Sequence, residues 1–329
     1  MNNFKKVGLS ALAGSLVAFS ANAGEVTVSG SAGMYLEHIN GGAANSGKSF
    51  SMDNQLTFTG GGELDNGLNV SISFVIDQGD DTTTNVGAGT LKFGGGAPFD
   101  SHSVTVSSDS LGSLKMSGEG GDSASGAVDG TVAGNIWDAF QAGADEPEAA
   151  PAGGNGLMYT LPSIVDGVAV NASYAPKGAK ADSSTAWSVA YTGIDGLALT
   201  FARGEDNATA GSEADHEVMK VTYAYGPITV GYMESDYNDA VASGDQNTTA
   251  YNVAYTISDE LSVSYGSEEL EFGVQSATNV AAEFERVKVS YVTGGMTLTA
   301  SQASGDNISY STATTEDQEV WALGASFAF

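Results

Sequence analysis

Between Lys115 and Lys177 the chain carries no positive charge, and its acids crowd into one stretch. Glu119, Asp122, Asp129, Asp138, Asp145, Glu146 and Glu148 all fall within residues 119–156, with Asp166 following outside it. Carboxylates at this density can attract cations by their field, hold a hard ion such as Ca²⁺ through oxygen, or exchange protons as general acids and bases. Proton chemistry has little to work with. His38, His102 and His216 sit near the ends of polar segments, and no Ser/His/Asp set or zinc-ligand spacing accompanies them. The adjacent acids Asp80-Asp81, Asp145-Glu146 and Glu268-Glu269 offer oxygen to Ca²⁺, but in no EF-hand spacing, and no other cofactor is expected. Charge attraction suits the whole chain: eleven Lys and Arg face forty Asp and Glu, a net charge of −29, which argues against nucleic acid as a partner.

The elements that position these residues begin after a leader. Lys5 and Lys6 are followed by an apolar run from Val7 to Phe19, too short to span a membrane as a helix. Ala21-Asn22-Ala23 has the small-x-small pattern of a cleavage site, so residues 1–23 read as a signal peptide and the mature chain as 24–329 from Gly24. Loss of the two lysines leaves nine basic and forty acidic residues, a charge of −31. Export implies an oxidising compartment, yet there is no Cys, so packing and backbone pairing must supply stability.

From Glu25 onward the chain alternates with a period of two. Leu68, Val70, Ile72, Phe74 and Ile76 oppose Asn69, Ser71, Ser73, Val75 and Asp77, just after the hairpin signal Asp65-Asn66-Gly67. At the end Trp321, Leu323, Ala325, Phe327 and Phe329 oppose Val320, Ala322, Gly324, Ser326 and Ala328. Six strands are readable up to Leu157–Leu161. Ten follow, at Val168–Ala175, Thr185–Tyr191, Leu197–Arg203, Glu217–Tyr225, Ile228–Glu234, Thr248–Thr256, Leu261–Ser267, Glu283–Thr293, Met296–Ala303 and Glu319–Phe329. Leu91-Lys92-Phe93 extends a neighbouring strand within the long connection 78–101, and Ile136, Trp137 and Phe140 suggest a helical turn before Pro147.

Sixteen strands are joined by seven short turns and eight long polar connections in strict alternation. One face of each strand is aromatic and aliphatic, the other small. A greasy terminal edge in water would aggregate; in lipid it must pair on both sides and close a ring. The expected fold is therefore all-β, a sixteen-stranded antiparallel transmembrane barrel with oil outside and water inside, short turns on one rim and long loops on the other. Tyr159, Tyr174, Trp187, Tyr223, Tyr251 and Tyr291 fall on the apolar side near strand ends, as interfacial girdles require.

With these features the chain resembles the general porins of Gram-negative outer membranes, most closely those of Alphaproteobacteria. The likeness rests on the Ala-x-Ala site, the opening Gly24-Glu25-Val26-Thr27-Val28-Ser29-Gly30, the sixteen-strand rhythm, the Gly- and Asp-rich third long loop and the aromatic Phe329. It implies a homotrimer of water-filled pores passing small hydrophilic solutes passively, set in outer-membrane lipid and lipopolysaccharide. It also implies that Phe329 is read by the barrel-assembly machinery, and that loop 119–156 folds inward and narrows the pore. The chain departs from the family in two ways: it has only two arginines, Arg203 and Arg286, and its third loop is rich in Ala and Gly.

By strand parity Lys115, Lys220, Arg286 and Lys288 fall on the small polar face, toward the lumen, as do Glu37, Asp53 and Asp77. Basic wall and acidic loop would then oppose one another across a narrow aqueous gap, a transverse field that sorts solutes by charge. Acids outnumber bases, so a weak cation preference is expected. The other readings are a channel specific for one solute and, further off, an outer-membrane hydrolase.

Overall fold

The computed structural model describes residues 25–41, 47–77, 100–118, 121–140, 147, 156–176, 183–206, 213–277, 279–313 and 317–329. The leader expected over 1–23, with Ala21, Ala23 and the following Gly24, lies outside these residues, as does the extension read at 91–93. Sixteen strands occur in chain order. They are β1 (Glu25–Gly41), β2 (Gly47–Glu63), β3 (Asn69–Asp77), β4 (Ser101–Ser108), β5 (Gly112–Ser117), β6 (Gly156–Thr160), β7 (Val168–Ala175) and β8 (Ser184–Tyr191). Then come β9 (Leu197–Asp206), β10 (Ala214–Tyr225), β11 (Ile228–Asp239), β12 (Gln246–Thr256), β13 (Leu261–Phe272), β14 (Ala282–Thr293), β15 (Met296–Asp306) and β16 (Gln318–Ala328). Each is antiparallel to the next in sequence, and β16 pairs with β1 to close the barrel. The seam is sealed where Gly30 and Phe329 exchange N–H···O bonds of 2.7 and 3.0 Å.

Burial along the strands runs opposite to that of a water-soluble sheet. Val28, Met34 and Leu323 are each more than half exposed, while Ala202, Ala250 and Ala282 are fully buried. The apolar face is the outside of the ring and the small face its lining. Only a hydrocarbon solvent makes such an exterior favourable, and only closure leaves no backbone N–H unpaired in that solvent. Nearer the long connections the outer face of β9–β16 turns acidic, at Glu205, Glu217, Glu234, Glu269, Glu285 and Glu319. Tyrosines mark the boundary: the Tyr232 hydroxyl donates to Glu234 Oε2 at 3.0 Å and the Tyr265 hydroxyl to Glu285 Oε1 at 2.8 Å. Each ring stays in the apolar band while its hydroxyl reaches the wet rim.

The short turns gather on one rim. In the first, Gly67 takes φ 80° and donates to the Leu64 carbonyl at 2.8 Å, while Asn66 Oδ1 accepts from the Leu68 N–H at 3.2 Å. A left-handed φ is cheap only for glycine, which is why the Asp-Asn-Gly signal is a reliable hairpin. On the opposite rim the strands run past the apolar band into water: β1 and β2 remain paired as far as Ile39 and Gly47.

Among the described residues the packed interior lies mainly to one side of the barrel. Ile136, Phe140, Val218, Met233, Leu270, Phe284 and Ile308 form a buried cluster inside the ring, where chain from the β5–β6 connection meets the inner faces of β10–β15.

Candidate functional site

The site is built by residues 121–140, which leave β5 and travel round the inside of the wall. The Ala124 N–H donates to Ser173 Oγ on β7 at 2.9 Å. The Lys220 ammonium on β10 reaches the Gly130 carbonyl. Val132 lies over Gly231 on β11, and Ala133 and Ile136 over Gly266 on β13. Arg286 on β14 donates from one Nη to the carbonyls of Ala133 and Gly134 at 2.8 and 3.1 Å. Phe140 meets Phe284 with ring centroids 5.2 Å apart, and both pack over Gly305 on β15. The residues from Ile136 to Ala139 form the helical turn read from the sequence, as a single 3-10 turn.

The strands receive this segment because their inner residues are small. A Cβ on Gly231 would lie 3.1 Å from Val132 Cβ, and one on Gly266 would lie 2.9 Å from Ala133 Cβ. The second is closer than Cβ atoms come and the first would make Val132 give by a few tenths of an ångström, so the segment sits directly on backbone. Sequence reasoning missed a residue that binds it through both carboxylate oxygens. Glu268 on β13 is 1% exposed, and its two carboxylate oxygens accept from the Thr131 hydroxyl and, at 3.1 Å, from the Trp137 N–H. Its signal was present: a carboxylate at an inward parity position beside Gly266 must find donors in the lumen.

The acidic residues read from the sequence divide. Asp122 and Asp138 are exposed, and Asp129 is half-buried and interacts electrostatically with Lys220. Glu119, Asp145, Glu146 and Glu148 lie outside the described residues. All four basic residues face inward, but at different places. Lys220 and Arg286 touch the loop segment itself, where the parity argument set them across a gap from it. The loop's own path brings them together, because it lies along β10–β14 instead of hanging free in the lumen. Lys288 is one inward position further toward the short-turn rim than Arg286. Lys115 projects from β5, half the ring away from β13. Across the water path from the loop are Glu37 on β1, Asp53 on β2 and Asp77 on β3, with Tyr35 donating to Asp53 Oδ2 at 2.9 Å.

Other candidate chemistry is dispersed. Glu268 and Glu269, adjacent in sequence, point to opposite faces of β13, as a strand's period of two demands, so they cannot share a Ca²⁺. Asp80-Asp81 and Asp145-Glu146 lie outside the described residues, among which no three His, Asp or Glu side chains converge on a metal position. His38 and His102 face outward. His216 faces inward and bonds Ser235 Oγ at 2.9 Å, but it is completely buried and offers no substrate a way in.

A sequence profile of the Gram-negative porins matches residues 8–283. The chain belongs to the Gram-negative porin family. No curated protein sequence matches this porin. Its barrel is similar to solved ones, each spanning 93% of this chain and all of its own. A porin refined at 1.8 Å is 18% identical with a TM-score of 0.65. The anion-selective porin of Comamonas acidovorans is 17% identical with a TM-score of 0.64. A substituted porin of Rh. blastica is 15% identical with a TM-score of 0.64. At such identities the likeness shows a common sixteen-stranded barrel and leaves residue roles to be argued from this chain. Family and fold together make it an outer-membrane, multi-pass barrel that forms a channel; they are those of pores rather than of enzymes. Porins of this family form trimers.

Proposed function

We propose that this porin is a homotrimeric diffusion channel for small hydrophilic solutes and ions with a weak cation preference, narrowed by residues 119–156. The observation that carries the reading is the seat of residues 121–140 on the inner faces of β7–β15, because whatever is fixed there stands in the water path. Asp122 and Asp138 on the segment are exposed, and the wall it leaves uncovered carries Glu37, Asp53 and Asp77 against Lys115. A permeating ion thus meets more negative than positive charge. Recording in planar bilayers under a salt gradient tests this: a reversal potential of cationic sign is expected, and an anionic one overturns the selectivity. Conductance that stays linear in salt supports general diffusion; saturable block by one solute overturns it in favour of a specific channel.

Self-association is supported by the outer face of β1–β5, which has neither Tyr nor Trp, whereas the aromatic girdle runs from Tyr159 on β6 to Trp321 on β16. A sector shielded from the lipid–water boundary needs no such anchors. Met52→Glu, at an outward and exposed position of β2, should dissociate the trimer in native mass measurement while leaving the barrel folded. Lipopolysaccharide is expected beside the acidic outer rim, its phosphates bridged to the carboxylates by divalent ions. Phe329 remains the expected signal for the assembly machinery.

A further inference from the structure

We infer that Glu268, Lys220 and Arg286 act together as positioning residues that lock residues 129–140 onto the β10–β15 wall, so that two of the lumen's few cations set the width of the pore rather than sort charge across it. The inference rests on the pore reading above and assigns its geometry to particular side chains. Five loop groups are held from three strands. Lys220 and Arg286 take the carbonyls of Gly130, Ala133 and Gly134, and Glu268 takes the Thr131 hydroxyl and the Trp137 N–H. The partners are about 90 to 150 residues apart in the chain, so these contacts fix tertiary position and owe nothing to local folding.

The chemistry explains the choice of residue types. A loop crossing a wet lumen without regular structure exposes carbonyls and N–H groups in both polarities. Cationic donors satisfy the carbonyls, and a carboxylate, with two oxygens and no proton, satisfies a hydroxyl and an amide at once. Glu268 and Arg286 also act on one another, as Lys220 and Asp129 do, so each buried charge has a counter-charge at hand. Charges so committed contribute little field to the open path. Lys288, on the same strand as Arg286, has no hydrogen bond to the segment among the described residues and serves as the internal control.

The test uses the full-length porin in bilayers and liposomes, with polyethylene glycols of graded size as probes. Glu268→Gln and the double variant Lys220→Met/Arg286→Met should raise the size limit for entry and increase single-channel conductance about twofold, as a wider water path requires. Lys288→Met removes a lumenal cation without touching the clamp and should leave the size limit unchanged. The chain has no Cys, so a staple can be added cleanly. Val132→Cys with Gly231→Cys brings two Cβ atoms to 3.1 Å, within about half an ångström of disulfide geometry. Oxidation of that pair in the Glu268→Gln background should restore the original size limit. An unaltered size limit in Glu268→Gln, or an equal shift in Lys288→Met, would overturn the inference. Should the unmodified porin not conduct at all, the pore reading falls. The clamp is then still decided by staple yield, which must drop in Glu268→Gln if these residues hold the loop.

Discussion

From β10 to β14 the inner face is covered: Val218, Met233, Ala250, Leu270, Ala282 and Phe284 are all at most 2% exposed. From β1 to β5 the same alternation leaves Ser51, Asp53 and Lys115 in the open, and of the inward side chains described there only Ile39 is buried. Both walls are strands of one ring with one period. They differ in what the described residues lay against them: folded chain in one case, none in the other. A barrel in lipid therefore has a protein core only where it makes one for itself, and elsewhere its inner residues are free to be chosen for what passes by.

The contrast breaks most visibly under truncation of a large side chain. Phe284→Ala empties a site that is 0% exposed and packed on Phe140, and should cost about 3–5 kcal/mol in denaturant unfolding from detergent. Thr57→Ala, inward on the uncovered wall, should cost less than about 0.5 kcal/mol. If the two costs prove equal, the covered wall is no core. The converse substitution acts on permeation. Glu37→Gln with Asp53→Asn should lower the cation-to-anion permeability ratio about twofold and leave unfolding unchanged. A selectivity that does not respond would place charge sorting back on the loop.

Smaller effects refine the comparison at the outer rim. Removing divalent ions should lower the temperature of trimer dissociation by about 2–4 °C if they bridge the acidic rim to phosphate, and no change would remove the bridge. Tyr232→Phe deletes a hydroxyl bond to Glu234 on the β9–β16 side of the rim, and should cost at most about 0.5 kcal/mol in unfolding.

Most of the architecture could be read in the sequence because alternation and turn chemistry agree. Leu68 to Asp77 announces β3 and its facing, and Asp65-Asn66-Gly67 the turn before it. The strand ends at the long-loop rim were less legible. The apolar alternation of β13 fades at Ser267, but pairing continues to Phe272; that of β11 fades at Glu234, but pairing continues to Asp239. Above the hydrocarbon both faces are wet or packed on protein, so side-chain pattern ends while backbone hydrogen bonding does not. The inward parity of Lys220 and Arg286 was legible for the same reason that β3 was. Their engagement with Gly130, Ala133 and Gly134 was not, because carbonyls of an irregular segment carry no signature in residue type.

The three glycines under the loop, Gly231, Gly266 and Gly305, make the position of that loop readable in other members of the family without any structure. Each stands where an added methyl group would strike Val132, Ala133 or Phe284. A homologue that carries bulky residues at all three aligned positions has no seat on this wall. Its third connection must then rest on another sector or shrink, and its bore must be shaped by something else. Small residues at those positions, kept while the loop's own sequence drifts, would mark pores that are throttled in the same place.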